Sequence, residues 1–421
     1  MKHTKTKYTY QCINCNTQYS GNELRYLCPS CNKTNTSDKP PKGVLKTIYN
    51  YDQIRTNFSI DKKNANLWEY LKNNDFIDLL PINSLESLPK LRVGNTPLYT
   101  HTQLNNKKLP FNLFLKDDSQ NPTYSFKDRA SAIVSAYAKE NNIDHIVAAS
   151  TGNAGSSLAG ICAAQGQKAI ILVPESAPIA KLTQILMYDA SLIPVKGTYD
   201  DAFDLSIKAT EEFGWYNRNT AFNPLTIEGK KIVSFELFEQ LNFKIPNRIF
   251  VPVGDGVIIS GVYKGFEDLL KLNLIKKMPI IVAVQSKDSD NLTRNIANEN
   301  FQIKKSNTIA DSISVDIPRN FYMAQQFIKT YKGEYLTVSD EEILEASSTL
   351  SKNTGLFAEP AAATAFAGLL NYQLNNKLAD NSDNVILLTG SGLKDLQAVN
   401  KILEMPEAIE PDIRNLRNLK Q

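Results

Sequence analysis

The 421-residue sequence predicts an α/β protein of two or three lobes built on mainly parallel sheets. Three observations carry that expectation. From His145 onward, short apolar runs alternate with amphipathic stretches of helical period, the mark of parallel strands joined by helices packed on both faces. Segments rich in small residues at 150–157, 253–260 and 387–395 each follow a strand candidate, and sheets of this kind bind ligands at the carboxyl ends of their strands. The chain is also longer than one ordinary domain.

Taken in order, Cys12-x2-Cys15 and Cys28-x2-Cys31 stand twelve residues apart. Two such knuckles read as a tetrathiolate metal ribbon, with structural zinc favoured over a redox pair. The spacer 16–27 has too few apolar residues to fold unaided, so metal would supply its stability. Residues 32–46 are polar and contain Pro40-Pro41, the composition of a linker. A helix is expected around Leu67–Leu71, a loop entering a strand at 91–98, and a short strand at Leu113–Lys116. Between Lys127 and Lys139 the residues Ala130, Ile133, Val134, Tyr137 and Ala138 recur at helical spacing. Further strands are expected at 146–149, 169–173, 192–195, 248–253, 280–284, 335–338 and 385–388. Helices are expected at 183–188, 200–213, 228–241 and 340–352. The implied division is a ribbon at 1–31, a linker and the first part of a large domain at 32–112, a smaller mobile lobe at 113–200, and the rest of the large domain at 201–421.

Composition narrows the function classes. Hydrophobic content of 42%, charged content of 22% and a net charge of +3 are ordinary globular values and give no reason to invoke nucleic acid or an anionic membrane. No apolar run approaches the ~20 residues of a membrane span. The basic start, Met1 to Lys7, has no apolar core of a signal peptide, so a cytoplasmic protein is expected, with cysteines serving as thiols or metal ligands. Cys162, in an apolar helical stretch, reads as a buried residue. His3, His101 and His145 are scattered, against a histidine-based catalytic metal.

The lysine at 127 lies in Ser125-Phe-Lys-Asp-Arg129, at the start of a predicted helix. That end of a helix carries partial positive charge. A lysine there is either a solvated surface residue or an amine kept reactive by its surroundings. The loop Ser150-Thr-Gly-Asn-Ala-Gly-Ser-Ser157 opens a helix whose amides can meet an anion. The turn Val253-Gly-Asp-Gly-Val-Ile258 and the segment Leu387-Leu-Thr-Gly-Ser-Gly392 complete the set.

In this order, and together with Glu359-Pro-Ala-Ala-Ala-Thr364, these segments resemble the threonine synthase-like pyridoxal-phosphate enzymes of the tryptophan synthase β superfamily, fold type II. The resemblance spans roughly residues 91–395. It implies a two-lobed fold in which Lys127 carries pyridoxal 5'-phosphate as a Schiff base and acts as general acid and base. It implies that Asn153 hydrogen-bonds the cofactor ring oxygen and that Ser150, Thr151 and Ala154 line the site for a substrate carboxylate. Gly254, Asp255, Gly256, Val257 and Ile258 would cradle the cofactor phosphate, and Thr389 would face the pyridine nitrogen. Asp255, where the family usually has asparagine, is expected to turn outward toward a basic partner, because a carboxylate is repelled by a dianion. A dimer is a further expectation of the family, and some of its members carry a similar cysteine ribbon.

One segment departs from the pattern. Thr220-Ala-Phe-Asn-Pro-Leu-Thr-Ile-Glu-Gly-Lys-Lys231 keeps the Asn-Pro and Glu-Gly frame, yet Thr226 stands where the family has an arginine for the substrate phosphate. Threonine cannot supply that bidentate, charge-assisted contact. Arg218, Lys230 or Lys231 could compensate. Three readings follow. The first is conversion of O-phosphohomoserine and water to threonine and phosphate through a rearranged phosphate site. The second is a lyase or β/γ-replacement enzyme acting on another small amino acid. The third is a non-enzymatic zinc-ribbon interaction protein.

Overall fold

The structure is a computed structural model and describes residues 6–416 apart from 62 and 299. His3 and most of the basic start lie outside the described residues. Among the described residues thirteen strands form three sheets. They are β1 (Tyr8–Cys12), β2 (Gln18–Ser20), β3 (Leu45–Tyr49), β4 (Leu98–Leu104), β5 (Lys107–Asp117), β6 (His145–Ala149), β7 (Lys168–Pro174), β8 (Ser191–Val195), β9 (Tyr216–Asn217), β10 (Arg248–Pro252), β11 (Ile280–Ser286), β12 (Glu334–Val338) and β13 (Asp383–Leu388).

The larger sheet has six strands in the order β12-β11-β10-β13-β5-β4, parallel except where β4 folds back on β5. The smaller sheet, β8-β7-β6-β9, is parallel throughout. The central strands are continuous apolar runs, as strands covered on both faces must be; Ile249, Phe250, Val251, Val385, Ile386 and Leu387 are all fully buried. Helices follow the expected signals. Thr198 with Asp201 and Ser339 with Glu342 form capping boxes, and Pro360 opens Pro360–Leu374. Among the described residues no helix is long and apolar enough to cross a membrane.

The expected lobe boundaries need correction. Residues 113–117 belong to the larger sheet, where β5 pairs with β13 from Asn112 to Asp117. The smaller sheet begins at His145 and ends at Asn217, because β9 pairs with β6. The division at 200 therefore cuts through its covering helix, Tyr199–Phe213. The ribbon also runs past Cys31. Leu45–Tyr49, partly assigned to the linker, pairs with β1 over five residues, and Leu27 bridges Val44. Tyr8, Tyr10, Leu45 and Tyr49 are buried in the same apolar cluster as Tyr216, Leu225, Ile227 and Val233. The ribbon thus shares the main core.

The helix expected over 228–241 is divided into Leu225–Lys230 and Ile232–Gln240. The first piece is wedged. A Cβ at Gly229 would stand 2.0 Å from the Arg129 carbonyl oxygen, and one at Gly261 2.6 Å from Lys230 Cβ. Only glycine admits such close backbone approach. The Leu225–Lys230 helix is held between Lys127–Glu140 on one side and Val257–Lys271 on the other.

Candidate active site

The loops leaving the carboxyl ends of β6 and β10, with the start of the Lys127–Glu140 helix, converge on one cavity of about 410 Å³. Its walls include Lys127, Ser150, Thr151, Asn153, Ala154, Arg218, Gly254, Asp255, Gly256, Val257, Ile258 and Lys230. That size lies within the range typical of small-molecule sites.

Lys127 is the first residue of its helix. The turn before it is fixed from both sides. Phe126 N–H donates to the Thr389 carbonyl at 2.9 Å, and Asp128 accepts the Thr123 N–H at 2.7 Å. Burial holds the Lys127 amine below its ordinary pKa, and Arg218 pushes the same way, against the pull of Glu359 and Asp255. This is the environment of a reactive amine rather than of a solvated lysine.

On the β6 side, Asn153 begins the helix Asn153–Gln165. Its Nδ2 donates to both Glu359 carboxylate oxygens, at 2.9 and 3.0 Å. Burial raises the Glu359 pKa, opposed by that amide. Ser150 Oγ accepts the Gly152 N–H at 3.3 Å, which tightens the turn, while Thr151 and Ala154 face the cavity. On the β10 side, Gly256 caps Val257–Lys271 with φ of +84°, a left-handed conformation suited to glycine. The free amides of this helix start face the same space, as an anion cradle requires.

Asp255 does not leave the cavity as expected. Its carboxylate accepts the Arg319 N–H at 3.1 Å, and its carbonyl accepts the Asn320 N–H at 3.0 Å. Burial raises its pKa, opposed by the Arg319 amide and by the charges of Arg319, Lys127 and Lys230. Its partner is a main-chain amide and not a basic side chain; the Arg319 guanidinium pairs instead with Asp200.

Two predicted residues lie outside the cavity wall. Thr226 is buried within its own helix turn, its hydroxyl donating to the Asn223 carbonyl at 2.8 Å. That internal bond removes it from substrate contact. Thr389 sits behind the wall, tied by its carbonyl to Phe126, with Gly390 bridged to Ser125.

Two cations have taken over the Thr226 side. Arg218 is fully buried; its Nε and Nη1 reach only Ser131 and Thr220 hydroxyls, at 3.3 and 3.1 Å, and its Nη2 has no hydrogen-bond partner. Burial draws its pKa down to about 10, still charged at neutral pH. Lys230 is equally buried, and its ammonium has one contact, the Thr226 carbonyl at 3.4 Å. Burial, then Arg218 and Lys127, push its pKa well down. Among the described residues no carboxylate forms an ion pair with either. Buried charges without partners are costly, which is why burial draws both pKa values down.

Lys230 was one of three alternatives from sequence, and the structure singles it out with Arg218; Lys231 points away. Glu359 belonged to a matching segment without a role of its own. The 311–319 stretch, which closes the cavity, carries no motif that could have revealed it.

Apart from this cavity, Cys12, Cys15, Cys28 and Cys31 bring their sulfurs within 4.8 Å of one another. Cys12 to Cys31 is 3.8 Å and Cys15 to Cys28 is 3.7 Å. A tetrahedron of thiolates about 2.3 Å from zinc has edges of about 3.8 Å, so the donor set and spacing fit that metal. Tyr19 Oη lies 3.0 Å from Cys28 Sγ, an outer contact of the kind that orients metal ligands.

Comparison with known proteins agrees with this geometry. Over residues 90–390 the sequence matches the family described as "Pyridoxal-phosphate dependent enzyme". It is 33% identical to a threonine synthase of Methanocaldococcus jannaschii over 417 residues, 97% of this chain and 98% of the relative. It is 32% identical to that of Methanosarcina acetivorans over 97% of this chain and 98% of the relative. Among solved structures, threonine deaminase isoform 2 from Solanum lycopersicum superposes with a TM-score of 0.65 at 19% identity, over 91% of this chain and 98% of the other. Maize serine racemase gives 0.62 at 24% identity, over 74% and 92%. These two share the fold. With a buried lysine at a helix start, a glycine-opened anion cradle facing it and a family match across the whole of both sheets, the chain belongs to the pyridoxal-phosphate-dependent enzymes.

Proposed function

We propose that this enzyme converts O-phosphohomoserine and water to threonine and inorganic phosphate, as the names of its relatives suggest. The observation that carries the reading is the pair Arg218 and Lys230. They are two buried basic groups, neither paired with a carboxylate among the described residues, in the same cavity as Lys127. Their charge suits a phosphate dianion, and they stand in for the arginine missing at 226.

Pyridoxal phosphate, when bound through Lys127, supplies an electron sink for the carbanion formed at the substrate α-carbon. The helix start at Gly256–Ile258 would hold the cofactor phosphate and Asn153 its ring oxygen. Ser150, Thr151 and Ala154 would receive the substrate carboxylate. Lys127 Nζ, a neutral amine once substrate has displaced it, takes the α-proton and returns protons at later steps. Arg218 and Lys230 orient the γ-phosphate and stabilise it as it departs with its bonding electrons. Lys127 also takes one β-proton as the phosphate leaves and returns a proton to the γ-carbon; water then gives its hydroxyl to the β-carbon and its remaining proton to the departing phosphate, and Lys127 returns the α-proton. Arg319, joined to Asp200 across the cavity rim, helps exclude bulk water. The four cysteines hold a structural zinc.

The test is direct. Purified protein loaded with cofactor is supplied with O-phosphohomoserine, and phosphate and threonine are quantified. Equal amounts of both are expected, with none from Lys127→Ala, which also loses the cofactor absorbance band of wild type. A Lys127-dependent band without phosphate release would replace this reading with that of a lyase or replacement enzyme acting on an unphosphorylated amino acid.

A further inference from the structure

We infer that the four-cysteine ribbon is a strut for the anion-binding wall of the cavity, and that Tyr26 is the positioning residue through which it acts. The inference rests on the reading of Arg218 and Lys230 as a phosphate site. It concerns residues that touch neither cofactor nor substrate.

The wall is supported from behind at two points. The first is β9. This strand is two residues long and closes one edge of the smaller sheet, paired with β6 at Ile146 and Val147. Immediately after it come Arg218, Asn219 and Thr220, all at the cavity. An edge strand this short has little to hold it in register. On the side away from β6, its Asn217 N–H donates to the Tyr26 hydroxyl at 2.9 Å. The Tyr26 ring stacks on Phe222, centroids 4.6 Å apart and planes 17° from parallel, and lies 6.3 Å from Tyr216. The ribbon thus supplies the bond and the packing that a further strand would have given. Both ends of the segment bearing Arg218 are clamped by one tyrosine.

The second point is the helix Leu225–Lys230. Tyr49, the last residue of β3, donates its hydroxyl to Glu228 at 2.7 Å, and Glu228 pairs with Lys231 at 2.6 Å. Lys231 also stands 3.9 Å over the Tyr49 ring. A ribbon strand therefore fixes the helix from which Lys230 reaches the cavity.

Tyr26 lies two residues before Cys28, so the cysteine cluster fixes the main chain that carries it, while its ring packs on Phe222 and Tyr216. Cys28 N–H donates to the Gly43 carbonyl at 2.8 Å, which carries the cluster's order into β3. The four-cysteine cluster and Arg218 are thereby linked through a chain of direct contacts, while the cofactor cradle at Gly256–Ile258 opens the Val257–Lys271 helix, which β3 meets near its far end, where Lys46 pairs with Glu267 at 2.6 Å.

The experiment uses the intact holoprotein and inorganic phosphate as probe, with three readouts: phosphate affinity by calorimetry, the cofactor absorbance band, and melting temperature. Tyr26→Phe removes the hydroxyl and keeps the stack; its phosphate affinity is expected to fall about fivefold, the worth of one neutral hydrogen bond. Tyr26→Ala should lose more, about tenfold or beyond, with an unchanged cofactor band. Removal of the ribbon metal by a chelator should reproduce the Tyr26→Ala loss, and adding zinc back should restore affinity. Unchanged phosphate affinity in both Tyr26 variants overturns the strut, as does loss of phosphate and cofactor binding in step. Should Tyr26→Ala fail to fold, Tyr26→Phe decides alone. Arg218→Met, measured in parallel, separates the two levels. If it binds phosphate like wild type, the anion site itself is wrong; if it binds weakly while both Tyr26 variants bind normally, only the strut is wrong.

Discussion

Lys230 and Lys231 are consecutive, equally buried, and opposite in circumstance. Lys231 sits in a closed set of charges. It pairs with Glu228 at 2.6 Å and with Asp268 at 2.7 Å, while Lys264 also pairs with Asp268 and Tyr51 donates to Asp268 at 2.6 Å. Lys230 turns the other way, into the cavity, and meets only a carbonyl. Consecutive residues on helical backbone project about 100° apart, which lets the two side chains diverge. Buried charge that is paired belongs to the architecture; a buried basic group left open beside a cavity is available to a ligand. Both lysines have depressed pKa values through burial, so the difference lies in the partners.

The comparison can be broken most forcefully on the paired side. Asp268→Asn leaves Lys231 and Lys264 without their shared carboxylate and should destabilise the protein by about 3–5 kcal/mol, read by chemical denaturation. A loss below about 1 kcal/mol would mean that the network is not holding the fold. On the open side, Arg218→Met should cost no stability, because it removes an uncompensated charge. Phosphate affinity should fall by about 1.5–3 kcal/mol, roughly tenfold to a hundredfold. A variant that is less stable yet binds phosphate normally would reverse the assignment.

A smaller effect concerns protons. An arriving dianion favours the charged form of Lys230 and raises its low pKa, so binding should take up a fraction of a proton between the free and bound values. Phosphate binding enthalpy should then vary with the ionisation enthalpy of the buffer in wild type and not in Lys230→Met. Smallest is an acid effect in a third, paired group. The Glu236 pKa lies down at about 2; burial works against this, but Arg129, at 2.6 Å, and Lys116 prevail. Because its folded pKa is below the unfolded one, its stabilisation is present above the ordinary carboxylate range and disappears as pH falls from about 4.5 through about 2. Glu236→Gln should flatten that part of the acid-unfolding curve; an unchanged curve would show the pair to be inert.

Much of this architecture was legible because its strands are short apolar runs between polar turns. Each strand expected after His145 is present within one or two residues of its predicted ends, and Lys127 opens its helix as expected. The pieces that escaped have physical reasons. The loop at 91–98 does enter a strand, β4, but its length was not legible because it carries no clean alternation, with exposed Tyr99 and Thr100; β9 is too short to leave a pattern. The helix over 228–241 reads as unbroken because Lys231 keeps helical backbone angles. The β3 strand was absorbed into a polar linker because its residues alternate inward and outward over only five positions. At the site, motifs located the loops, but local sequence could not show that the Thr226 hydroxyl would be spent on its own helix, or that Arg218 would lack a partner. Those facts depend on residues far apart in the chain.

The contact between Gly229 and the Arg129 carbonyl has a consequence for how this scaffold can diversify. A helix pinned against its neighbour's main chain cannot roll or slide to admit a different molecule, so a change of diet must be written in side-chain tips alone. Positions 226 and 230 then behave as exchangeable fittings on a fixed mount, and a new leaving group calls for one or two substitutions there rather than a rebuilt loop.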